Sequence, residues 1–416
     1  MPSTHILPHT VSPVSSGRCP VEHTTLSHQK TVQGQHVPER AIECDERGAW
    51  HIHSFELVRS ILRGGHTRQA GFNAELLART PRLMRQPILY QDGKTHQEQR
   101  RQTARFFAPK MVRQHYREMM EQLADSLVTR LQLAGKADLS QLTLELAVRV
   151  AAEVVGLTDS PLPGMPARLD AFFQNELRPF RWTPRELWSF LRVQRRILTF
   201  FFLDVRPAIR ARRRQPREDL ISHLIAQGYS EREILTECVT FAAAGMITTR
   251  EFISVATWHL LEKPDLRARY LVASEEERYA ILGEILRLEP VVGHLYRRAA
   301  TDLRLEYQGQ SYVIPQGALI DLHIHSANVD PQIVGEQPLL LCPGRELNEG
   351  RVSPELMSFG DGPHRCPGSY IAMQETDILL QRLLALDGLR IERQPDLTWN
   401  KLVTGYELRK FLITLH

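Results

Sequence analysis

Residues 231–262 (EREILTECVTFAAAGMITTREFISVATWHLLE) are predicted to form one long helix, which restricts the folds open to the chain. Ser230 and Glu233 have the spacing of a capping box at a helix start. At about 1.5 Å per residue the helix would be about 48 Å long, the width of a whole domain. Between Glu237 and Glu262 its only charged residues are Arg250 and Glu251. A helix that is apolar on nearly every side is buried, so the fold must surround it.

The middle of this predicted helix consists of small side chains. Ala242, Ala243, Ala244 and Gly245 are adjacent in the sequence, and a pair of threonines at 248–249 follows two residues later. Small residues at the centre of a buried helix leave space beside its backbone. We therefore predict that a flat, bulky group packs against this stretch of the helix.

The rest of the 416-residue chain has mostly helical patterns, with strand signals near both ends. Helical periodicity dominates from about residue 55 to 290, and a last helix is predicted from about 369 to 386. Weak strand signals at 41–54 and alternating residues around turns at 303–325 predict short strands and hairpins. The predicted fold class is mainly α with small β-sheets (α+β). Residues 1–40 lack a sustained period and are predicted to form an irregular arm before a single domain at 41–416.

A lone cysteine lies in the glycine-punctuated segment SFGDGPHRCPGSYIAMQE, residues 358–375. Gly360 and Gly362 before the cysteine and Gly368 after it allow a sharp turn and a close backbone approach. Past Gly368, apolar residues recur at helical spacing. Cys366 is thus predicted to lie just ahead of a helix N-terminus, where free N–H groups and the helix dipole favour a thiolate.

Charge and cysteine content indicate which cellular compartment and which classes of binding partner to expect. The formal net charge of +4 is too small to indicate nucleic-acid binding, although Arg100, Arg101 and Arg105 form a local cluster suited to an acidic partner. None of the five cysteines is in a CxxC pair, so neither a zinc site nor a disulfide framework is expected. No apolar run approaches the roughly 20 residues that span a bilayer. We expect a soluble, cytoplasmic protein without a membrane span.

The segment from Phe359 to Gly368 matches the cytochrome P450 signature Phe-x-x-Gly-x-His/Arg-x-Cys-x-Gly at every fixed position, and the chain resembles that family. Glu284 and Arg287 supply its Glu-x-x-Arg pair about 80 residues upstream. DGKTHQEQRR at 92–101, RRAATD at 297–302 and AGMITT at 244–249 resemble further motifs of the family, in the right order. The resemblance covers roughly residues 40–416 and is strongest to soluble bacterial members.

This resemblance implies a cytochrome P450 fold with the long central helix over a buried haem b (iron protoporphyrin IX). Cys366 would be the metal ligand, and Arg298 is preferred to the adjacent Arg297 as one of the haem-propionate partners. Glu284 and Arg287 would be a structural pair near the haem. The full set of implied cofactor-binding residues is His96, Arg100, Ala244, Gly245, Arg298, Phe359, His364, Cys366 and Gly368.

The implied activity is that of a haem-thiolate monooxygenase, which inserts one oxygen atom from O2 into a small, largely apolar organic substrate. Electrons would come from a ferredoxin and a ferredoxin reductase, or from another small redox protein. Residues 64–90 and 160–205 would cover the distal face of the haem. The stretch from Val291 to Leu295 would also line the substrate pocket.

One position departs from the family pattern. The acid that usually precedes the distal threonine is replaced by Ile247, which has no proton to give to Thr248. Either water supplies Thr248 or Glu251 does, and Glu251 is alternatively a buried ion-pair partner of Arg250. The departure leaves open peroxide-driven oxidation, coupling or rearrangement, and also a haem-based ligand binder. The retained Thr248 argues against a passive binder, which needs no distal hydroxyl.

Overall fold

The computed structural model describes residues 27–32, 40–72, 86–173, 184–348, 352–401 and 403–415. Helices dominate these residues, as the sequence predicts. The α-helices are α1 Phe55–Arg63, α2 Gly93–Thr103, α3 Pro109–Met111, α4 Arg117–Ala134, α5 Leu139–Val155, α6 Met165–Phe173, α7 Pro184–Phe200, α8 Arg206–Arg214, α9 Leu220–Ala226, α10 Glu231–Ala242, α11 Thr248–Glu262, α12 Pro264–Val272, α13 Glu275–Leu288, α14 Ile324–Asn328, α15 Pro331–Val334 and α16 Ser369–Leu384.

Twelve short strands form four small sheets in the described residues. They are β1 Ile42–Cys44, β2 Trp50–Ile52, β3 Thr67–Gln69, β4 Lys136–Asp138, β5 His294–Ala299, β6 Leu303–Tyr307, β7 Gln310–Ile314, β8 Leu319–His323, β9 Leu389–Arg393, β10 Asp396–Asn400, β11 Gly405–Arg409 and β12 Leu412–Leu415. A five-stranded sheet has the order β1-β2-β8-β5-β3, in which only β2 and β8 pair in parallel. The other sheets are β4-β12-β9 and the pairs β6-β7 and β10-β11. The strands predicted at 41–54 and 303–325 are confirmed.

The long central helix is confirmed in extent but is not α-helical throughout. Ser230 caps α10 in a complete capping box with Glu233. A π-helical turn at Ala243–Ile247 then joins α10 to α11. Such turns inside α-helices are frequent at functional sites. Within this turn Ile247 is buried, whereas Ala244 is exposed to an internal cavity.

Two apolar cores hold these elements together. The larger core joins α4, α5, α10, α11 and α16, and α11 packs directly against α5 and α16. The smaller one lies between the five-stranded sheet and α1, and includes Ile52, Phe55 and Leu322. Burial of these apolar side chains is the main source of stability for the fold.

The described part of the N-terminal segment packs on this body. The Thr31 backbone N–H and hydroxyl both donate to the Glu289 carboxylate, and the Lys30 ammonium pairs with Glu262. Whether residues 1–40 form an arm outside one domain at 41–416 stays a prediction, since most of them lie outside the described residues.

No helix in the described part of the chain is both long and apolar enough to cross a bilayer. Cys44, Cys238 and Cys366 are free thiols. Cys342 is disulfide-bonded.

Candidate active site

A cavity of about 740 Å³ lies between the central helix and the cysteine loop. The π turn and the start of α11 form one wall with Ala243, Ala244, Gly245 and Thr248. The opposite wall contains Cys366 and the residues on either side of it, including Phe359 and Gly368. The group of small side chains predicted from the sequence therefore lines the same cavity as the cysteine.

The cysteine loop is held by a close approach between backbones. Gly362 has φ +65°, and a Cβ atom there would lie 2.2 Å from the carbonyl oxygen of Leu62. Only glycine permits this contact, which fixes the loop against the end of α1. The Cys366 N–H donates to the Phe359 carbonyl over 2.8 Å, closing the loop just before α16 begins.

Cys366 is half-buried, and two cationic side chains lie near its sulfur. Burial raises the pKa of the Cys366 thiol above its usual value, although N–H groups of Gly368 and Ser369 and the charges of Arg100 and Arg365 oppose that rise. The donors and cations are those that stabilise a thiolate at a helix start. A cation bound at the sulfur would add the charge needed to overcome burial, because metal ligation deprotonates a thiol.

The hydroxyl of Thr248 faces the cavity from the opposite wall. Its Oγ1 donates to the Ala244 carbonyl over 2.6 Å, which keeps the side chain beside the π turn. Ile247 is buried and is not part of the cavity wall. The departure from the family pattern therefore concerns a buried residue that is not part of the cavity wall.

The two adjacent arginines of β5 lie on different sides of the strand. Arg297 is buried and lines the cavity, whereas Arg298 extends to the other face, where its Nη1 donates to the Gly317 carbonyl over 2.7 Å. Neighbours on a strand point to opposite faces, so only one of the two can reach the cavity. Burial lowers the pKa of Arg297 to about 10, with the Asp92 carboxylate opposing that shift. Its guanidinium also donates to Gln69, a neutral partner.

Two histidines stack beside this arginine. The rings of His96 and His364 lie 3.9 Å apart between centroids and are nearly parallel. His364 lines the cavity and contacts Asp92 at 3.2 Å, whereas His96 is buried behind it and is not among the cavity-lining residues. Burial, with a smaller contribution from His364, lowers the pKa of His96 to about 4.

Arg100 is directed inward from α2. Its Nη2 donates to the Arg365 carbonyl, next to Cys366 in the sequence. Burial lowers the pKa of Arg100, while its interaction with the Cys366 charge opposes the shift. The side chain is therefore near the thiol but does not line the cavity.

The structure places Glu251 away from the cavity, in a buried ion-pair network. Its carboxylate contacts Arg250 Nε at 3.0 Å and Arg409 Nη1 at 2.6 Å, and accepts the Leu408 N–H over 2.7 Å. Asp170 pairs with Arg250 on the other side at 2.6 Å. Of the two roles left open for Glu251 by the sequence, the contacts correspond to the structural one.

Glu284 and Arg287 form a fully buried pair on α13. Two guanidinium nitrogens of Arg287 donate to the two Glu284 oxygens over 2.7 and 2.8 Å. Arg287 also donates to the carbonyls of Asn328, Pro338 and Leu340. The pair therefore anchors the chain that precedes the cysteine loop and makes no contact with the cavity.

Glu375 is a cavity residue that the sequence reasoning missed. It lies on α16 nine positions after Cys366, lines the cavity and is buried. Burial raises the pKa of Glu375 well above its usual range despite a side-chain hydrogen bond with Thr249. Its Oε2 has no hydrogen-bond partner among the described residues. Glu375 lies among other polar residues of α16, including Gln374 and Asp377, so the sequence did not single it out.

The cavity is closed above mainly by apolar side chains. The cover predicted at 64–90 contributes Phe72, Pro87, Leu89 and Tyr90, and residues 73–85 lie outside the described part. Val291, Val292 and Leu295 line the cavity as expected. The second cover, 160–205, contributes no described lining residue, and residues 174–183 of it are not described.

The residues around this cavity fit a haem. A half-buried thiol lines the same wide space as a wall of small residues, which suits a flat macrocycle with an iron ligand on one side. Arg297 is a buried guanidinium with a neutral hydrogen-bond partner, and a buried cation is stabilised by an anion beside it. Haem carboxylates are such anions, and His364 stands at the same end of the cavity.

Comparisons with known proteins agree on one family. The family model Cytochrome P450 matches residues 279–394. Cytochrome P450-SU2 of Streptomyces griseolus is 27% identical over 86% of this chain and 83% of its own length. Nocardicin C N-oxygenase of Nocardia uniformis subsp. tsuyamanensis is 27% identical over 83% of this chain and 84% of its own length.

Solved structures show the same fold. CalO2 superposes with a TM-score of 0.73 at 23% identity, covering 91% of this chain and 93% of its own. Substrate-free CYP109E1 of Bacillus megaterium gives a TM-score of 0.72 at 20% identity, covering 91% and 96%. The expected fold, mainly α with small sheets, is thereby confirmed.

Proposed function

Because this chain belongs to the cytochrome P450 family and is a haem b monooxygenase, we propose that it inserts one oxygen atom from O2 into a small, largely apolar substrate, with electrons from a ferredoxin. The observation that carries this proposal is the half-buried Cys366 thiol, which lines one cavity together with Ala244, Gly245 and Thr248. We infer that Cys366 holds the haem iron.

The bound haem-thiolate group supplies oxygen binding and O–O bond cleavage, which the electron-rich thiolate favours. The chain supplies the sulfur, its two backbone N–H donors and the cations around it. Arg297 and His364 would pair with the haem carboxylates, since both line the same end of the cavity. His96 would orient His364 by stacking, and Arg100 would brace the loop at Arg365.

Protons would reach Thr248 from Glu375 instead of Glu251. Burial raises the pKa of Glu375, which favours the protonated carboxyl at a position in the cavity wall. Thr249 hydrogen-bonds this carboxyl and is adjacent to Thr248 in α11. Glu251 has both oxygens engaged by arginines and a backbone N–H, and it does not line the cavity.

An apolar substrate follows from the cavity wall. The side chains farther from Cys366 are chiefly aliphatic and aromatic, including Phe72, Leu89, Val291, Val292 and Val403. The cavity of about 740 Å³ must hold both the haem and the substrate, so the substrate must be small. Apolar contacts of this kind contribute binding free energy in proportion to the area they bury, and they discriminate weakly between similar molecules.

The electron donor would dock on the thiolate side of the haem. Arg365 is partly exposed there and pairs with Glu355 at 3.2 Å, and the Arg113 guanidinium lies 5.5 Å from the ring of Tyr370, four residues after Cys366. Of the arginines predicted for this surface, Arg100 is turned inward and Arg101 pairs with Glu98. The exposed cations suit an acidic ferredoxin whose attraction falls as salt shortens the Debye length to about 8 Å at 0.15 M.

The test compares two routes to product with a substrate found by the optical shift of the haem. One reaction contains O2, reductant, ferredoxin and ferredoxin reductase, and the other contains hydrogen peroxide alone. The proposal predicts product chiefly in the first, with a reduction rate that falls as ionic strength rises. Product chiefly with peroxide would favour the peroxide-driven alternative. A salt-independent reduction rate would contradict the acidic partner.

A further inference from the structure

Three histidines and an aspartate meet on one face of the five-stranded sheet. His51 on β2 is in register with Asp321 on the parallel strand β8, and His294 on β5 is in register with His323 at the end of β8. Side chains alternate between the faces of a strand. Leu295, the neighbour of His294, lines the haem cavity from the other face. The cluster is thus separated from the haem cavity by the sheet itself.

Three electron-pair donors converge in this cluster. His51 Nδ1 is 2.9 Å from His323 Nε2 and 3.4 Å from Asp321 Oδ2, and His323 Nε2 is 3.3 Å from the same Oδ2. A tetrahedral zinc ion with bonds of about 2.0–2.1 Å has ligand atoms about 3.3 Å apart. The three atoms therefore already have nearly the spacing that one zinc ion requires.

The cluster has more histidine ring nitrogens than the Asp321 carboxylate has oxygen atoms to accept hydrogen bonds from them. Asp321 Oδ1 forms a hydrogen bond with His294 Nδ1 over 2.9 Å. Two further ring nitrogens, from His51 and His323, then approach the single remaining oxygen and each other. A cation between them would use the lone pairs of all three atoms. In the described residues this is the one group of three or more His, Cys, Asp or Glu side chains whose ligand atoms meet in this way.

The surrounding contacts are those that orient metal ligands. His51 turns its other nitrogen, Nε2, toward Asp45 Oδ2 at 3.5 Å, and His294 fixes the Asp321 carboxylate. A histidine ligand commonly gives its second nitrogen to a carboxylate in this manner. The His53 ring packs on His323 with 4.1 Å between centroids and limits its rotation. The His51 and His323 side chains remain partly exposed, so an ion can enter from solvent.

We propose that His51 Nδ1, His323 Nε2 and Asp321 Oδ2 bind one Zn²⁺ ion, with water at the fourth position. Imidazole and carboxylate ligands suit zinc, whereas Mg²⁺ and Ca²⁺ prefer sites made of oxygen ligands. The tetrapeptide His-Ile-His-Ser occurs twice, at 51–54 and 323–326, and each copy supplies one histidine ligand. The site would link β2 to β8, two strands far apart in the chain, and it does not depend on the proposed monooxygenase function.

Calorimetric titration with ZnCl₂ of the untagged, haem-loaded, EDTA-treated protein tests this site. We expect one zinc per chain, no binding of MgCl₂, and at least about 100-fold weaker zinc binding in His51→Gln, His323→Gln and Asp321→Asn. His294→Gln, which removes only the orienting contact, should weaken binding about 10- to 100-fold. His115→Gln changes an exposed histidine far from the cluster and should leave binding unchanged. Zinc binding that persists in the three ligand variants, or is absent in the unaltered protein, would overturn the proposal.

Zinc K-edge X-ray absorption of the unaltered protein adds a measurement that needs no variant and does not detect the haem iron. The site predicts four nitrogen or oxygen neighbours at about 2.0–2.1 Å, two of them imidazole. Sulfur neighbours at about 2.3 Å, or a set of three or more imidazoles, would mean that zinc is held elsewhere and would contradict the site.

Discussion

Glu251 and Arg409 form an ion pair inside the protein, with 2.6 Å between Arg409 Nη1 and Glu251 Oε1. The Leu408 N–H donates to the second carboxylate oxygen over 2.7 Å. Since Leu408 and Arg409 lie on β11, these contacts tie the central helix α11 to a strand near the C-terminus. They also leave Glu251 with no access to the cavity.

Glu251→Gln is expected to lower the free energy of unfolding by about 3 kcal/mol, because it removes one of the two carboxylates beside the buried Arg250 and one of the two beside Arg409. Denaturant unfolding measures this change. Glu277→Gln is the control, since its ion pair with Arg269 is on the surface and contributes about 0–1 kcal/mol. The ratio of product to electrons consumed should stay unchanged in Glu251→Gln. Full stability with electrons diverted to peroxide would instead make Glu251 the proton source.

Arg297→Gln is expected to accelerate haem loss about tenfold or more, because a hydrogen bond to a charged group contributes about 1.5–3 kcal/mol. Arg298→Gln should retain haem normally, since that side chain is on the other face of β5. Transfer of haem to an excess of an apo-globin gives both rates. Faster loss from Arg298→Gln than from Arg297→Gln would reverse the assignment.

The positions of Arg297 and Glu251 show what the sequence could and could not establish. The cysteine loop and the capping box at Ser230 were predictable because each depends on residues close together in the chain. The roles of Arg297 and Glu251 were not, because they depend on which face of β5 meets the cavity and on a partner 158 residues away. The π turn at Ala243–Ile247 had no signal that distinguishes it from continuous α-helix.

Glu375→Gln is expected to slow product formation about 10²-fold or more and to divert electrons to peroxide, since the amide keeps the shape of the side chain but cannot give up the proton. Haem content should not change. Product and peroxide are measured together per electron supplied, with Glu251→Gln as the comparison. Unchanged product in Glu375→Gln would leave water as the proton source.

Glu237 predicts a pH dependence of stability. Burial raises its pKa to about 7, although hydrogen bonds from Gln99 and the Ile88 N–H oppose that rise. Between the ordinary glutamate pKa of 4.5 and about 7, the folded protein binds more protons at this group than the unfolded chain does. The free energy of unfolding that this group contributes is therefore fully present below pH 4.5. It is lost as pH rises through about 7, and the loss is at most about 3 kcal/mol.

Unfolding of Glu237→Gln at several pH values between 4.5 and 8 isolates that contribution. The difference in unfolding free energy between the variant and the unaltered protein should shift in favour of the variant as pH rises. A difference that is independent of pH would mean that Glu237 titrates normally.

The most direct measurement is the spectrum of the reduced protein with carbon monoxide. If Cys366 holds the iron, the Soret band has the red shift of thiolate ligation, Cys366→His abolishes that band, and Cys44→Ser, which changes an exposed free thiol, retains it. A haem-loaded protein that lacks the red-shifted band, or a Cys366→His variant that keeps it, would contradict Cys366 as the ligand.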